Sequence, residues 1–403
     1  MNQSLLFTVI LAASLSLNGC ATSAEQSVAT QDEGSSNSEV KKQTLTPSKE
    51  AVVTPVTQTK KVVAAPEKPV KESVEKVAEP LLSGSYADYP QAQAFIDEMK
   101  AEGFSEAYLK GVLGEAKRQQ SILTAISRPA EKSLNWGEYR KIFIQPKRIK
   151  QGVQFWQENQ AALALAEKTY GVPAEVIVSI IGVETRYGRI MGSYRVLDAV
   201  ATLGFDYPRR SEFFLGQLKE YLRLVREEKT DVTAHKGSYA GAMGYGQFIP
   251  SSYRSFAIDF DNDGHRDIWN NKTDAIGSVA NYFAEHGWAK GEPVISGVSF
   301  SQTADEAWFS KGRKGLIPEL TIADWQQRGV EPELTLSPEG KAILMRLEIG
   351  EDAQYWLGLH NFYVITRYNH SKLYAMAVYR LSEQIKMAYE QSLSEKTVTQ
   401  TKK

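Results

Sequence analysis

The stretch IVSIIGVETRYGRI at positions 177–190 decides how the fold is interpreted. An almost continuous apolar run leads into Glu184, which helical spacing places on the same face as Ile181. Its carboxylate therefore lies on the apolar stripe of the predicted helix, where side chains normally face the core. Pro173 suits the first turn of this helix, and Gly188 can end it a turn beyond the acid.

The carboxyl group of Glu184 has two interpretations. Burial disfavours the charged form and raises the pKa, which suits a general acid that works near neutral pH. The alternative is a carboxylate at a helix end that pairs with Arg186 or Arg189. The helix alone does not distinguish an acid catalyst from an ion pair.

A segment rich in glycine and aromatic residues, GSYAGAMGYGQFIPSSY, occupies positions 237–253. Glycines permit close approach of the backbone to a ligand, and the interleaved Tyr and Phe rings offer faces for sugar rings. Ser238 and Gln247 would supply polar contacts. The alternative is an ordinary glycine-rich turn.

The acidic segment DFDNDGHRDIWN, at 259–270, resembles an EF-hand calcium loop. Its predicted ligands are three carboxylates at loop positions 1, 3 and 5 and a carbonyl at position 7, from Asp259, Asp261, Asp263 and His265. Gly264 provides the sharp turn, and Asn270 stands where an EF-hand has its bidentate Glu. We predict a structural calcium site here, because such closely spaced carboxylates repel one another without a cation. An acidic surface turn is the alternative.

The composition of the 403-residue chain excludes several classes of protein. A net charge of −1 and a pI near 6.6 give no indication of nucleic-acid binding. Cys20 is the single cysteine, so the sequence predicts neither a disulfide framework nor a cysteine-based metal site. Since the sequence has no Walker, Rossmann or zinc-ligand motif, we predict no organic cofactor.

The N-terminus has the form of a lipoprotein signal. Residues 5–17 form an apolar run too short to span a bilayer comfortably, and it ends in LNGC, which resembles the bacterial lipobox. We predict a signal peptide over 1–19, lipidation of Cys20 and a disordered tether over 20–85. With Ala21 after the cysteine, the resemblance implies sorting to the periplasmic face of the Gram-negative outer membrane. An ordinary signal peptide with an incidental cysteine is the alternative.

Periodicity divides the rest of the chain. Helical patterns dominate 86–168 and 169–290, and the second of these segments is richer in glycine and aromatic residues. The segments EPVISGVSF, ELTIADW and ILMRLEIG are typical of short strands and predict a small β domain over 291–355. Helix returns over 356–393, and a disordered tail is predicted over 394–403.

Three motifs together carry a resemblance to one enzyme family. GVETRYGR at 182–189, SYAGAMGYGQFIPSSY at 238–253 and DAIGSVANYFAEHGW at 274–288 resemble the membrane-bound lytic murein transglycosylase B family in sequence and spacing. The similarity extends over roughly residues 85–390. It implies a mainly α fold, with a lysozyme-like catalytic core, a flanking helical domain, a small antiparallel β domain and the EF-hand-like loop.

The resemblance also implies an architecture and a substrate. The catalytic core would cover 169–290, include the loop at 259–274 and be completed by the helices of 356–393. The substrate would be the glycan strands of peptidoglycan, cut at the β-1,4 bond between N-acetylmuramic acid and N-acetylglucosamine. Glu184 matches the family's single catalytic acid. Asp274, at the start of the next helix, would close the calcium loop. The substrate-groove positions would fall to Ser238, Gln247, Tyr282 and Tyr368.

The single-acid route implied by the family needs no water. Glu184 would protonate the glycosidic oxygen while the N-acetyl group of the substrate stabilises the cationic centre. The same carboxylate would then deprotonate the C6 hydroxyl, which attacks C1 and forms a 1,6-anhydro end.

Two alternatives remain open. A hydrolytic muramidase would need a second carboxylate, for which Asp198, Asp206 and Asp231 are candidates. A non-catalytic peptidoglycan-binding lipoprotein would not need an acid on an apolar stripe.

Overall fold

The computed structural model describes residues 81–127 and 134–401. The predicted signal peptide, Cys20 and nearly all of the predicted tether lie outside these residues. The described residues belong to one compact unit. None of the described helices is both long and apolar enough to cross a membrane.

Helices account for most of the described residues. The N-terminal group is α1 (Pro90–Ala101), α2 (Glu106–Glu115), α3 (Gln120–Ser127), α4 (Trp136–Phe143), α5 (Pro146–Glu158) and α6 (Gln160–Tyr170). The central group is α7 (Ala174–Thr185), α8 (Val196–Asp206), α9 (Ser211–Glu228), α10 (Pro250–Phe256) and α11 (Lys272–Glu285). The remaining helices are α12 (Ile322–Gln327), α13 (His360–Tyr368) and α14 (Lys372–Thr401).

Helix α7 lies at the centre of the core, and almost none of its surface is exposed to solvent. The run from Val176 to Val183 is buried without interruption. Each Val or Ile buried in this way contributes about 1.5–3 kcal/mol relative to an exposed one. Helices α5, α6, α11 and α14 pack around it. The hydroxyl of Ser179, which would otherwise be a buried polar group without a partner, donates to the carbonyl of Val378 at 2.7 Å.

Helix α7 ends earlier than the sequence predicts, so Glu184 lies closer to the end of the helix. Pro173 precedes the first helical residue and serves as the N-cap. The helix ends at Thr185, because Arg186 takes a left-handed conformation with a φ of 52°. Glu184 is therefore the next-to-last residue of the helix, and the predicted end at Gly188 is wrong.

The described strands form two antiparallel sheets. A two-stranded ribbon consists of β1 (Tyr194–Arg195) and β2 (Lys236–Gly237). A five-stranded sheet consists of β3 (Ile295–Phe300), β4 (Leu320–Thr321), β5 (Val330–Pro332), β6 (Lys341–Ile349) and β7 (Asp352–Gly358), in the spatial order β4-β6-β7-β3-β5. Strands β6 and β7 form a hairpin whose register runs from Ile343–Gly358 to Ile349–Asp352. Gly350, with a φ of 63°, lies in its tight turn.

The sheet region departs from the sequence prediction in two places. ELTIADW contributes only two strand residues, because Thr321 and Asp324 form a capping box that starts α12. Helix was predicted from 356, but β7 continues to Gly358 and α13 begins at His360. Pairing with β6 decides the conformation of β7, and this tertiary effect overrides the local pattern.

The C-terminal helix is also longer than predicted. Helix α14 continues to Thr401, so the prediction of a disordered tail over 394–403 is wrong for residues 394–401.

The N-terminal helices are fastened to the core through aromatic contacts at the end of α8. The Tyr89 hydroxyl donates to Asp206 Oδ1 at 2.8 Å. The ring of Tyr86, which is fully buried, lies 4.6 Å from that of Phe205. These contacts attach the segment before α1 to the helix that follows β1.

Candidate active site

Glu184 lies at the C-terminal end of α7 with its carboxyl group enclosed by protein. The residue keeps a partly exposed surface, yet burial raises the pKa of its carboxyl to about 7. Tyr374 of α14 donates its hydroxyl to Oε1 at 2.5 Å, and this bond limits the rise. A carboxyl group with this pKa can give or take a proton near neutral pH.

Neither neighbouring arginine pairs with the acid within the described part of the chain. Burial and the Tyr374 bond are the influences on the pKa of Glu184, with no arginine among them. The guanidinium of Arg189 instead donates to the carbonyl of Arg186 at 3.2 Å. The structure therefore does not have the ion pair that the sequence left open.

Three buried or half-buried tyrosines from different helices surround Glu184. Burial raises the pKa of Tyr139 on α4, Tyr368 on α13 and Tyr374 on α14, and the charge of Glu184 raises each one further. Tyr368 also donates its hydroxyl to the carbonyl of Gly246 at 2.6 Å. Sequence reasoning included Tyr368 but missed Tyr139 and Tyr374, because nothing local marks tyrosines that only the fold brings to the acid.

The turn after α7 is held in an unusual backbone conformation. Arg186, Tyr187 and Gly188 have consecutive φ values of 52°, 61° and 81°. Non-glycine residues in this region cost of order 1 kcal/mol or more each, so the surrounding contacts must hold them. A Cβ at Gly188 would lie 2.2 Å from the ring of Tyr245. Glycine therefore allows the glycine-rich segment to approach the end of α7 closely.

Thr185 joins the same helix end to the glycine-rich segment. Its Oγ1 lies 3.0 Å from the carbonyl of Tyr245 and 3.1 Å from that of Ile181, and it accepts the amide of Gly188 at 3.0 Å. The residue next to Glu184 thus fixes the position of the turn and of the segment opposite.

Ser238 and Gln247, the two polar residues predicted to contact a ligand, are both partly exposed in the glycine-rich segment. The Ser238 hydroxyl accepts the amide of Ala242 at 3.1 Å. Gln247 has a φ of 53°, and its Nε2 donates to the carbonyls of Met191 and Gly244 at 3.2 and 3.1 Å. Both side chains shape the segment, so any contact with a substrate would use the atoms that remain accessible.

Tyr282 is packed among aromatic rings. It is 7% exposed, and its hydroxyl donates to the carbonyl of Arg367 at 2.7 Å. Its ring stacks on His286 at 4.0 Å and lies 4.7 Å from the ring of Tyr368. In this structure Tyr282 supports Tyr368, and its direct contact with substrate stays a prediction.

The three aspartates considered as second carboxylates are engaged elsewhere. Asp198 forms an ion pair with Arg195 at 2.6 Å. Asp206 accepts from Tyr89, and Asp231 caps the turn at Thr233, whose amide donates to it at 2.6 Å. Within the described residues, no second carboxylate contributes to the pKa of Glu184.

The acidic loop brings three carboxylates together. Oxygen atoms of Asp259, Asp261 and Asp263 all lie within 4.8 Å of one another. Asp259 accepts the amides of Asp263 and Gly264 at 3.0 and 2.8 Å, which curls the loop around its first ligand position. The amide of His265 donates to Asp263 at 2.9 Å. This oxygen-rich turn fits a hard cation such as calcium.

Asp274 does not join this cluster. It is fully buried at the start of α11, where Oδ1 accepts the amide of Phe260 and Oδ2 accepts that of Asp267, each at 2.8 Å. Its carboxylate ties two backbone positions of the loop to the helix, and its contact with a calcium ion stays a prediction. Its contribution here is to the shape of the loop.

Comparison with known proteins gives consistent matches in sequence. The family model of the transglycosylase SLT domain matches residues 87–383. The membrane-bound lytic murein transglycosylase B of Escherichia coli (strain K12) is 45% identical over 322 residues, which are 76% of this chain and 86% of that protein.

Solved structures match the fold. The catenated lytic transglycosylase SltB1 from Pseudomonas aeruginosa has a TM-score of 0.73 at 50% identity and covers 76% of this chain and 100% of its own. The Escherichia coli lytic transglycosylase SLT35 in complex with calcium has a TM-score of 0.69 at 46% identity and covers 77% of this chain and 96% of its own. These matches confirm the predicted mainly α, lysozyme-like fold with a small antiparallel sheet.

Proposed function

This chain belongs to the transglycosylase SLT domain family, and we propose that it cuts the β-1,4 bond after N-acetylmuramic acid to leave 1,6-anhydromuramic acid ends. The broader activity follows from the family: the protein is an enzyme, a lytic transglycosylase that acts on peptidoglycan. One observation carries the finer proposal. The pKa of the Glu184 carboxyl is raised to about 7, and no second carboxylate of the described residues acts on it.

In the first step, Glu184 acts as a general acid. Burial keeps a large fraction of the carboxyl protonated near neutral pH, so it can donate its proton to the glycosidic oxygen as the bond to C1 breaks. The leaving N-acetylglucosamine takes that proton on its hydroxyl. The positive charge at C1 of N-acetylmuramic acid is stabilised by the neighbouring N-acetyl group of the substrate.

In the second step, the Glu184 carboxylate acts as a base. It removes the proton from the C6 hydroxyl of the same muramic acid, and O6 forms a bond to C1. The enzyme regains its proton and no water is consumed, so a second carboxylate to activate water is unnecessary. The Tyr374 hydroxyl, which donates to Oε1, stabilises the carboxylate between the two steps.

The substrate groove would lie along the elements that meet at Glu184. Tyr368 and the glycine-rich segment with Ser238 and Gln247 border the acid through the Gly246 carbonyl and the Thr185 contacts. We assign substrate contacts to these three residues and to Tyr282, whose ring packs 4.7 Å from that of Tyr368. Aromatic faces and amide groups are suited to N-acetylated sugars.

Digestion of purified peptidoglycan tests the proposal. The released muropeptides, separated and weighed by mass spectrometry, should carry anhydromuramic acid ends, which are lighter by one water than reducing ends. Reducing ends would instead identify a hydrolytic muramidase. No cleavage would identify a binding lipoprotein and contradict the proposed chemistry.

We propose that a structural calcium ion occupies the acidic loop. Asp259, Asp261 and Asp263 would supply carboxylate ligands, and the carbonyl of His265 would complete the set on that side. The similarity to SLT35, which has been solved with calcium, supports this assignment. The ion would offset repulsion within the loop, and no step of the reaction uses it.

We propose that the mature protein is attached to the outer membrane by a lipid on Cys20 and faces the periplasm. The sequence of the lipobox supports the anchor, and the Escherichia coli relative is named as membrane-bound. Cys20→Ala should therefore move the protein from the membrane fraction to the soluble periplasmic fraction, with unchanged activity in vitro. Retention of this variant in membranes would show that another part of the chain binds the envelope.

A further inference from the structure

The five-stranded sheet has a cavity of its own, outside the candidate active site. It has a volume of about 370 Å³ and lies between the segment after β3 and the strands β4 and β6. A volume in this range is typical of small-ligand sites. Its polar and aromatic lining includes Trp308, Ser310, Lys311, Glu319, Trp325 and Arg328.

Ser310 supplies the observation that points to a ligand. The residue is 6% exposed, and its Oγ has no hydrogen-bond partner among the described residues. Its backbone is fully used, since its amide donates to Leu344 at 2.8 Å and its carbonyl accepts from Lys372 at 3.1 Å. A buried hydroxyl without a partner is unfavourable, because it has lost its hydrogen bonds to water and gained none from the protein. A hydroxyl or amide from a ligand would remove this cost.

Gly315 keeps the space beside this hydroxyl open. A Cβ at this position would lie 3.3 Å from Ser310 Oγ. Gly315 also lines the cavity and has an ordinary backbone conformation, so glycine is not required by its φ. A side chain there would crowd the approach to the hydroxyl.

Arg328 and two tryptophans form another part of the cavity wall. The guanidinium lies 5.8 Å from the ring centre of Trp308 and 5.4 Å from that of Trp325. Arg328 forms no ion pair with any of the described carboxylates, so its donors are available. Trp325 is buried, with its indole N–H bonded to Ala342, whereas Trp308 keeps a partly exposed ring. An aromatic surface next to free donors suits a sugar ring.

We propose that this cavity binds one N-acetylated hexosamine of a glycan strand, as a second sugar site outside the catalytic groove. The inference rests on the proposed function for the identity of the strand. Trp308 would contact the apolar face of the sugar ring. Ser310 and Arg328 would form hydrogen bonds with its acetamido and hydroxyl groups, and Glu319 would accept a hydrogen bond from one of its hydroxyl groups. Both cationic and anionic side chains line the cavity, which favours an uncharged polar ligand over an anion.

Lys372 connects this cavity with α14, the helix that carries Tyr374. Its Nζ donates to the carbonyls of Ser310 and Arg346 at 3.1 and 3.3 Å. Lys372 is the first residue of α14, and Tyr374 in the same turn bonds Glu184. A glycan strand bound in this cavity would therefore lie next to the first turn of the helix whose Tyr374 bonds the acid.

Binding of long glycan strands by the full-length protein tests the site. Trp308→Ala and Gly315→Ala are each combined with Glu184→Gln, so that the strand stays uncut. We expect both to weaken cosedimentation with insoluble peptidoglycan by about tenfold. Leu334→Ala, an exposed residue of the same region outside the cavity, is the matched control and should bind normally. Without Glu184→Gln, the cavity variants should cut a short soluble muropeptide with unchanged kcat/KM.

N-acetylglucosamine oligomers, which carry no peptide, serve as the probe that tests whether the site binds sugar. Their titration should change the tryptophan fluorescence of the Glu184→Gln protein, and Trp308→Ala should remove part of that change. Unaltered strand binding in both cavity variants would overturn the proposal, as would a loss seen with peptide-bearing strands but not with the oligomers. If peptidoglycan is never cut but the cavity variants still lose sugar binding, the proposed function fails and the second site stands.

Discussion

Two regions of the molecule place acidic groups in opposite surroundings. Glu184 is a single acid at the end of the apolar helix α7, and burial raises its pKa to about 7. Asp259, Asp261 and Asp263 lie close together in a largely exposed loop. Burial favours the neutral carboxyl that can donate a proton, whereas clustered carboxylates in contact with water provide oxygen ligands for a hard cation. The same functional group is thus suited to proton transfer in one region and to metal binding in the other.

The largest expected effect comes from removing the proton of the buried acid. Glu184→Gln keeps the shape of the side chain but cannot donate an acidic proton, so we expect activity to fall about a thousandfold or more. Release of muropeptides from purified peptidoglycan measures this loss. Glu175→Gln, in the first turn of the same helix, is the control and should remain active. Residual activity above a tenth of wild type in Glu184→Gln would contradict the assignment.

The same variant should be more stable than the wild type at alkaline pH. The folded-state pKa of Glu184, about 7, lies above its ordinary value of 4.5, so the native state holds the proton more tightly than the unfolded state. Wild-type stability therefore falls as the pH rises from about 4.5 to about 7, by on the order of 3 kcal/mol. Glutamine has no charge to bury and avoids this loss.

Urea unfolding at pH 5 and pH 8 measures this effect. The free energy of unfolding of Glu184→Gln, relative to wild type, should increase between the two pH values. A difference that does not change with pH would mean that the carboxyl is not buried in a way that shifts its pKa.

In the acidic loop, stability should instead depend on the cation. Calcium that binds only the folded state adds roughly 2.7 kcal/mol at a hundredfold excess over Kd. The melting temperature should therefore be higher in millimolar calcium than in chelator, and Asp263→Ala should remove most of that difference. Glu292→Ala, an exposed acid outside the loop, is the control. If the melting temperature of the wild type were the same with and without calcium, the loop would be an acidic turn that binds no calcium.

A smaller effect is expected from the hydrogen bond that limits the pKa of the buried acid. Tyr374→Phe removes the donor to Oε1, so the pKa of Glu184 should rise further. Because the acid must be protonated to act, the fall of kcat/KM at alkaline pH should move to higher pH, and kcat should drop about tenfold. Tyr379→Phe, on the same helix but bonded to Glu383, should leave the profile unchanged. A Tyr374→Phe profile that matches wild type would show that this hydroxyl does not influence the acid.

The sequence was informative wherever the signal is local. The apolar run drew attention to Glu184 and left an ion pair as the alternative, and the spacing of the aspartates predicted a calcium loop, because both patterns lie within a few residues. The family motifs then fixed the fold as mainly α. Local patterns failed at ELTIADW, which mostly forms α12, and at β7, whose conformation depends on its pairing with β6.

The amino-acid sequence by itself therefore determined the family, the fold class and the position of the acid in the chain. Only the tertiary structure decided its surroundings: Tyr374, 190 residues away, donates to Glu184, and Tyr139 approaches from another helix. It also decided that Asp274 accepts a backbone amide of the acidic loop and that the Tyr282 hydroxyl is bonded to the carbonyl of Arg367. The physical reason is that the pKa of a group, and whether its hydrogen bonds are satisfied, depend on which atoms surround it and exclude water. Segments distant in the sequence supply those atoms.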